Sequence, residues 1–183
     1  YPYAKFKSFE SQAMAEKAFN ESFEQYKGKK VASSPTLSPL ELERIGSPIL
    51  PSIAVDAACS GNPGIMEYRG VDTETQAEIF RIAPIKDGTN NIGEFLAIVH
   101  ALAFMKQRNL SLPVYSDSKI AMSWVRQKVC KTKVPRTSHN EKIFELIARA
   151  EQWLHNNTYP NPILKWETQV WGENPADFGR KDK

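Results

Sequence analysis

Cysteine, histidine and long apolar runs are all scarce in this chain. Only Cys59 and Cys130 occur among 183 residues. Two thiols that far apart form neither a disulfide framework nor a ligand cluster, and they fit a reducing compartment. The histidines are His100, His139 and His155, with no metal-ligand spacing between any pair. His100 reads as a satisfied boundary residue of a helix and the other two as surface residues. The longest strongly apolar run, Phe95 to Met105, contains His100 and falls short of the roughly 18 residues a membrane span needs. With no visible signal peptide, the expectation is a cytoplasmic protein without membrane association. Charge of one sign is not in excess either. A net charge of +3 admits an anionic partner without demonstrating one. The apolar share of 41% and charged share of 25% are ordinary, which excludes wholesale disorder, a collagenous repeat and a coiled coil.

The length favours one domain, or a domain with a short appendage. Residues 1–26 read as a small module. A strand over Ala4–Phe9 is followed by a helix with Ala13, Ala15, Ala18 and Phe19 at its apolar positions. Residues 27–51 read as a linker, because Pro35, Pro39, Pro48 and Pro51 fall inside it beside several serines and glycines. Within it, Pro39 to Ile45 can form one or two helical turns.

From residue 52 to 183 the pattern becomes regular. Strands are expected at Ser52–Asp56, Ile65–Val71, Ala77–Ile85, Pro113–Tyr115 and Ile163–Glu167. Helices are expected at Thr89–Arg108, Ser118–Lys128 and Asn140–Asn156, with a short closing helix at Pro175–Lys181. Ile92, Phe95, Leu96, Val99, Leu102 and Met105 form the buried stripe of the long helix. The order predicts an α/β fold, with a mixed five-stranded sheet covered by helices. The tryptophans at 124, 153, 166 and 171 read as core and core edge rather than as a platform for stacking bases.

Four carboxylates stand out by position. Asp56 is expected at the end of the first core strand, Glu94 in the first turns of the long helix, Asp117 between a strand and a helix, and Asp177 near the start of the closing helix. Taken singly, the last three are ordinary helix-start acids, worth about 0.3–1 kcal/mol through the helix dipole. Asp56 is different, because Ala54, Val55, Ala57 and Ala58 surround it and an ionised acid there loses solvation. Four acids converging on one sheet edge repel one another. A shared divalent cation relieves this, and hard oxygen ligands suit Mg²⁺.

These residues carry a resemblance. Asp56-Ala57-Ala58-Cys59-Ser60-Gly61-Asn62-Pro63-Gly64 resembles the first motif of the type 1 ribonuclease H family. Thr89-Asn90-Asn91-Ile92-Gly93-Glu94 resembles the second, Val114-Tyr115-Ser116-Asp117-Ser118 the third, and the stretch from Trp171 to Lys181 the fourth. All four occur in family order. The first residues, Tyr3 to Phe19, resemble the second half of the small hybrid-binding, viroplasmin-like module that precedes such domains.

The resemblance implies a ribonuclease H-like fold in which three antiparallel strands are followed by two parallel ones. It implies an endonuclease that hydrolyses the RNA strand of RNA–DNA hybrids through two Mg²⁺ ions, with Mn²⁺ as a substitute, leaving 5′-phosphate and 3′-hydroxyl ends. Asp56, Glu94, Asp117 and Asp177 would hold the metals. Glu173 would take the place of the histidine found before the last Asp in the commonest bacterial form. Ser60, Gly61, Asn62, Asn90 and Asn91 would read the hybrid, and Thr89, Asn91, Thr132 and Thr168 would hold a phosphate of the DNA strand. No obligate protein partner is evident. Two alternatives stay open: another metal nuclease of the superfamily acting on DNA, and a non-catalytic protein that binds hybrid or double-stranded RNA.

Overall fold

The computed structural model describes residues 37–179, together with Glu16 and Asn20. The strand and helix expected within 1–26, the first part of the linker and the end of the closing helix lie outside the described residues. By its internal contacts the chain divides into two units, Tyr1–Glu41 and Leu42–Lys183.

Helix α1, Pro39–Ile45, starts on a reciprocal cap. The Ser38 amide and hydroxyl both donate to Glu41 Oε2 at 2.8 Å, and the Glu41 amide donates back to Ser38 Oγ. A Ser followed three residues later by a Glu is the pattern that satisfies orphan donors in this way.

The second unit is built on a six-stranded mixed sheet. Its strands are β1 Ile53–Cys59, β2 Gly64–Asp72, β3 Glu78–Arg81, β4 Ile85–Gly88, β5 Val114–Ser116 and β6 Ile163–Lys165. The path runs β3-β2-β1-β5-β6, with β4 also on β2. β1 pairs antiparallel with β2 from Ile53↔Asp72 to Cys59↔Met66. β1 pairs with β5, and β5 with β6, in parallel. The antiparallel start and the parallel finish are as expected. The single third strand expected at Ala77–Ile85 is corrected to two short strands along one edge of β2. The break falls at Pro84, which has no amide to donate to a ladder.

Between the strands run α2 Asn90–Gln107, α3 Lys119–Gln127 and α4 Glu141–Asn156, and the four-residue α5 Thr168–Trp171 follows β6. The expected stripe of α2 is buried, but so are Gly93, Glu94, Ala97, Ile98 and Ala101. α2 packs on β1 and β2 and also against α3 and α4, so it is enclosed on more sides than a one-faced helix would be.

Alternation along the strands sorts the core into two layers. Ile53, Val55, Ala57, Met66 and Tyr68 face the α2 side. Ala54, Val71 and Tyr115 face the other side, with Trp166 and Ala176. On that second face the Trp171 indole donates to the Gly46 carbonyl at 2.7 Å, and the Ile49 amide donates to the Tyr115 hydroxyl.

Gly93 sets how closely α2 approaches the sheet. A Cβ there would stand 2.7 Å from the Ala57 Cβ and 3.1 Å from Met66 Cγ. Gly93→Ala should therefore force helix and strand apart and destabilise the protein by about 1–3 kcal/mol, the usual range for an overpacked core. Urea unfolding of the variant measures this.

Candidate active site

Three carboxylates meet where β1 and β5 part. The parallel pairing of β1 with β5 stops at Ala54↔Tyr115, while β1 continues to Cys59 against β2. Asp56 therefore lies inside β1 rather than at its end, which corrects the expectation. It sits just beyond the last parallel pair, the kind of opening between strands where α/β sheets place their functional groups.

Glu94 enters from the first turns of α2, whose N-cap is Thr89. Gly93 lets the helix lie close enough for Glu94 Oε1 to accept the Ala57 amide at 3.2 Å. Glu94 Oε2 accepts the buried Ser116 hydroxyl at 3.2 Å. Asp117 follows Ser116 directly. One carboxylate oxygen each from Asp56, Glu94 and Asp117 lies within 4.8 Å of the others. Asp56 and Glu94 are 7% and 1% exposed, and Asp117 is half-buried.

Asp177 lines the same cleft, about 430 Å³ in volume, with Asp56, Glu94, Asp117, Asn90, Ser118 and Phe178. It does not come from a helix. The closing helix expected at Pro175–Lys181 is corrected, over its described part, to an irregular turn. Buried Asn174 explains why. Its Nδ2 donates to the Val55 carbonyl, its Oδ1 accepts the Ala176 amide, and its carbonyl accepts the Asp177 amide. This side-chain turn competes with helical pairing. The Arg69 guanidinium holds two consecutive carbonyls further on, those of Ala176 and Asp177, at 2.8 and 2.5 Å. Glu173 is exposed and precedes this turn, so a shared helical face no longer links it to Asp177.

Burial dominates the electrostatics. It pushes the Asp56 carboxyl up to about 6, aided by the charges of Asp117 and Asp177 and opposed by hydrogen bonds from Glu94 and Ala57. Burial, followed by the Asp56 charge, raises Glu94 well above the carboxylate range. Without a counter-charge, burial opposes the ionisation of both carboxyls at once. Oxygen-only donors, strong desolvation and mutual repulsion together fit a hard divalent cation.

A second cleft of about 460 Å³ is lined by Asn62, Thr89, Asn91, Trp124, Lys131 and Thr132, among others. Thr89 Oγ1 accepts the Ile92 amide as an N-cap, which leaves its hydroxyl proton free to donate into the cleft. Thr168 does not line this cleft; it opens α5. Asn90 faces the acid cleft instead. Ser60 and Gly61 are exposed in the turn after β1. His100 is half-buried and stacks on Phe80 at 4.0 Å. Gly93, Ser116, Asn174 and Arg69 were not singled out from the sequence. A glycine beside a first-turn acid and an Asn-Pro pair were available signals for Gly93 and Asn174; nothing marked Arg69 or Ser116.

The RNase H family model matches residues 51–163. The ribonuclease H of Francisella philomiragia is 36% identical over 78 residues, which are 39% of this chain and 47% of that protein. That of Francisella tularensis subsp. novicida is 35% identical over the same shares. The chain thus spans about half the length of the curated relatives it matches. Among solved structures, a ribonuclease H1 isolated from compost is similar at 18% identity and a TM-score of 0.42, over 66% of this chain and 89% of that one. Its complex with an RNA/DNA hybrid is similar at 23% identity and a TM-score of 0.40, over 64% and 85%. Among the described residues, no helix is long and apolar enough to cross a membrane.

The raised carboxyls predict a pH effect in metal-free protein. Asp56 titrates at 3.8 when unperturbed and at about 6 in the fold. Its contribution is complete below 3.8 and is lost as pH rises through about 6, because the folded state then binds more protons than the unfolded chain. Burial lowers the pKa of His100, and its contribution runs the opposite way, so the comparison needs a variant. In chelator, Asp56→Asn should gain thermal stability over wild type as pH rises from about 4.5 to about 7. A gap that does not change with pH would contradict the assignment.

Proposed function

The chain belongs to the RNase H family, and from that premise we propose that it is an endonuclease hydrolysing the RNA strand of RNA–DNA hybrids with Mg²⁺, or Mn²⁺ in its place. The observation that carries this reading is the meeting of Asp56, Glu94 and Asp117 oxygens within 4.8 Å, with Asp177 on the same cleft. Asp56, the acid contributed by the central strand, would bridge two ions. Asp117 and Asp177 would hold the one beside the nucleophile, and Glu94 the one beside the leaving group. Bound there, a pair of divalent cations supplies Lewis-acid stabilisation of both the attacking and the leaving oxygen of an in-line displacement. The products are a 5′-phosphate and a 3′-hydroxyl.

The protein groups do the positioning. The Ala57 amide and the Ser116 hydroxyl fix both oxygens of Glu94, so its charge is aimed before substrate arrives. No serine or cysteine is needed as a nucleophile. The turn Ser60-Gly61-Asn62, with Asn90 and Asn91, is suited to the 2′-hydroxyls and minor-groove edges of a hybrid. Thr89, Asn91 and Thr132 line the second cleft, where hydroxyls and an amide can fix the register of a DNA phosphate. Thr168 enters this role only if the substrate spans both regions. The unpaired thiols Cys59 and Cys130 favour a reducing, cytoplasmic setting.

The decisive assay offers labelled hybrid, double-stranded RNA and duplex DNA, with and without Mg²⁺. Cutting of the RNA strand of the hybrid alone, and only with the metal, is the expected result. Cutting of duplex DNA would favour another nuclease of the superfamily, and binding without turnover a non-catalytic protein. Asp56→Asn should abolish cleavage while hybrid binding persists.

We assign Glu173 a role in product release, as an exposed acid beside the turn that carries Asp177. Glu173→Gln should then lower steady-state kcat more than the single-turnover rate. Equal loss in both regimes would place it in the chemical step, and no loss would leave it an ordinary surface acid.

A further inference from the structure

We infer that Arg69 is a positioning residue for the last acid: it sets where Asp177 stands relative to Asp56. The inference rests on the proposed metal-dependent reading of the cleft. Arg69 is the β2 partner of Asp56 in the sheet register, so both project from neighbouring strands toward the same face. Its Nε donates to the Ala176 carbonyl at 2.8 Å, and its Nη2 to the Asp177 carbonyl at 2.5 Å. The two carbonyls are consecutive, so one rigid fork fixes the peptide that joins them, and with it the Asp177 backbone. The third arm, Nη1, meets Glu78 Oε2 at 3.4 Å. The guanidinium carbon lies 4.9 Å from the centroid of the Phe178 ring, which holds the residue after Asp177 as well.

The turn is not helical: Asn174 accepts the Ala176 and Asp177 amides within it and ties its start to the Val55 carbonyl on β1. Asp177 Oδ1 accepts the Gly179 amide at 2.7 Å, which orients the side chain but not the backbone that bears it. Two side chains thus tie the turn to the sheet, Arg69 from β2 through the Ala176 and Asp177 carbonyls and Asn174 through the Val55 carbonyl of β1. A lysine would keep the charge at Arg69 but cannot bridge two carbonyls in a fixed plane.

The test uses the full chain and needs no substrate for its main readouts. Mg²⁺ titrated calorimetrically into Arg69→Lys should bind about 10- to 100-fold more weakly than into wild type, the usual effect of losing a group that orients a metal ligand. Amide exchange should quicken at Asp177 and Gly179 while the β1 amides stay protected. Asp177→Asn added to Arg69→Lys should weaken binding by less than the two single losses combined, because both act on one ligand. Arg81→Lys, which also faces Phe178 but holds neither carbonyl, should change nothing. In cleavage, the Mg²⁺ requirement should rise more than saturated kcat falls.

Wild-type Mg²⁺ affinity in Arg69→Lys would overturn the inference. So would weakened binding with exchange unchanged at Asp177 and Gly179, uniform loss of protection across the sheet, or wild-type protein that binds no Mg²⁺. If Arg69→Lys yields no folded protein, Phe178→Leu replaces it; a smaller weakening in the same direction is expected, and none would overturn the inference. Wild-type protein that binds Mg²⁺ but leaves hybrid uncut would sink the proposed function and leave the Arg69 result standing.

Discussion

Two carboxylates buried side by side must share a proton or a cation, and much of this molecule is arranged around that constraint. Asp56 projects from the central strand and Glu94 from the most enclosed helix, so neither can swing into solvent to escape the other. Desolvation is the largest influence on both; the charges of Asp117 and Asp177 add to it at Asp56, and that of Asp56 adds to it at Glu94. The scaffold accepts this conflict and stabilises one arrangement of it, through the Ala57 amide and the Ser116 hydroxyl on Glu94. Buried polar groups held this way are costly unless every partner is in place, and the oxygen-only donor set fits a hard divalent cation as the missing one.

The surrounding fold serves the same arrangement. Gly93 lets α2 touch β1, so Glu94 reaches across to the strand that bears Asp56. The parallel strand β5 ends at Ser116, which delivers Asp117 to the opening. The second face of the sheet carries Tyr115, Trp166 and Trp171 packed edge to face. Beside that layer the turn from Asn174 to Gly179 closes over Arg69. Elements from both faces therefore converge on the middle of β1, which is why acids spread over more than a hundred residues of sequence share one cleft.

The acids could be found in the sequence because each breaks a local pattern. Asp56 interrupts an apolar strand, Glu94 stands at the head of the apolar stretch of a helix, and Asp117 stands between the two element types. The antiparallel start is legible in Asp72-Thr73-Glu74-Thr75, a polar turn-forming run between two strand-like stretches, and the parallel finish in the helices that follow. The misses have physical causes. Pro84 broke an alternating run that looked continuous. The apolar run Ser52–Val55 ends at Asp56 and so marks a strand end there, whereas antiparallel pairing with β2 carries the strand on to Cys59. Residues 175–179 looked helical because the Asn174 side chain's competition with the backbone depends on Val55, 119 residues away. Arg69 lay beyond reach for the same reason: its role is in long-range hydrogen bonds to carbonyls, which no residue pattern announces.

Because burial disfavours full ionisation of the acid pair, a divalent cation should bind it only by displacing a proton. Calorimetric titration of Mg²⁺ in two buffers of different ionisation enthalpy counts that proton directly. With Asp56 titrating at about 6, Mg²⁺ binding at that pH should release protons to the buffer. The number should fall as pH is raised and be smaller in Asp56→Asn. Mg²⁺ binding at pH near 6 with no proton release, identical in both buffers, would contradict the account.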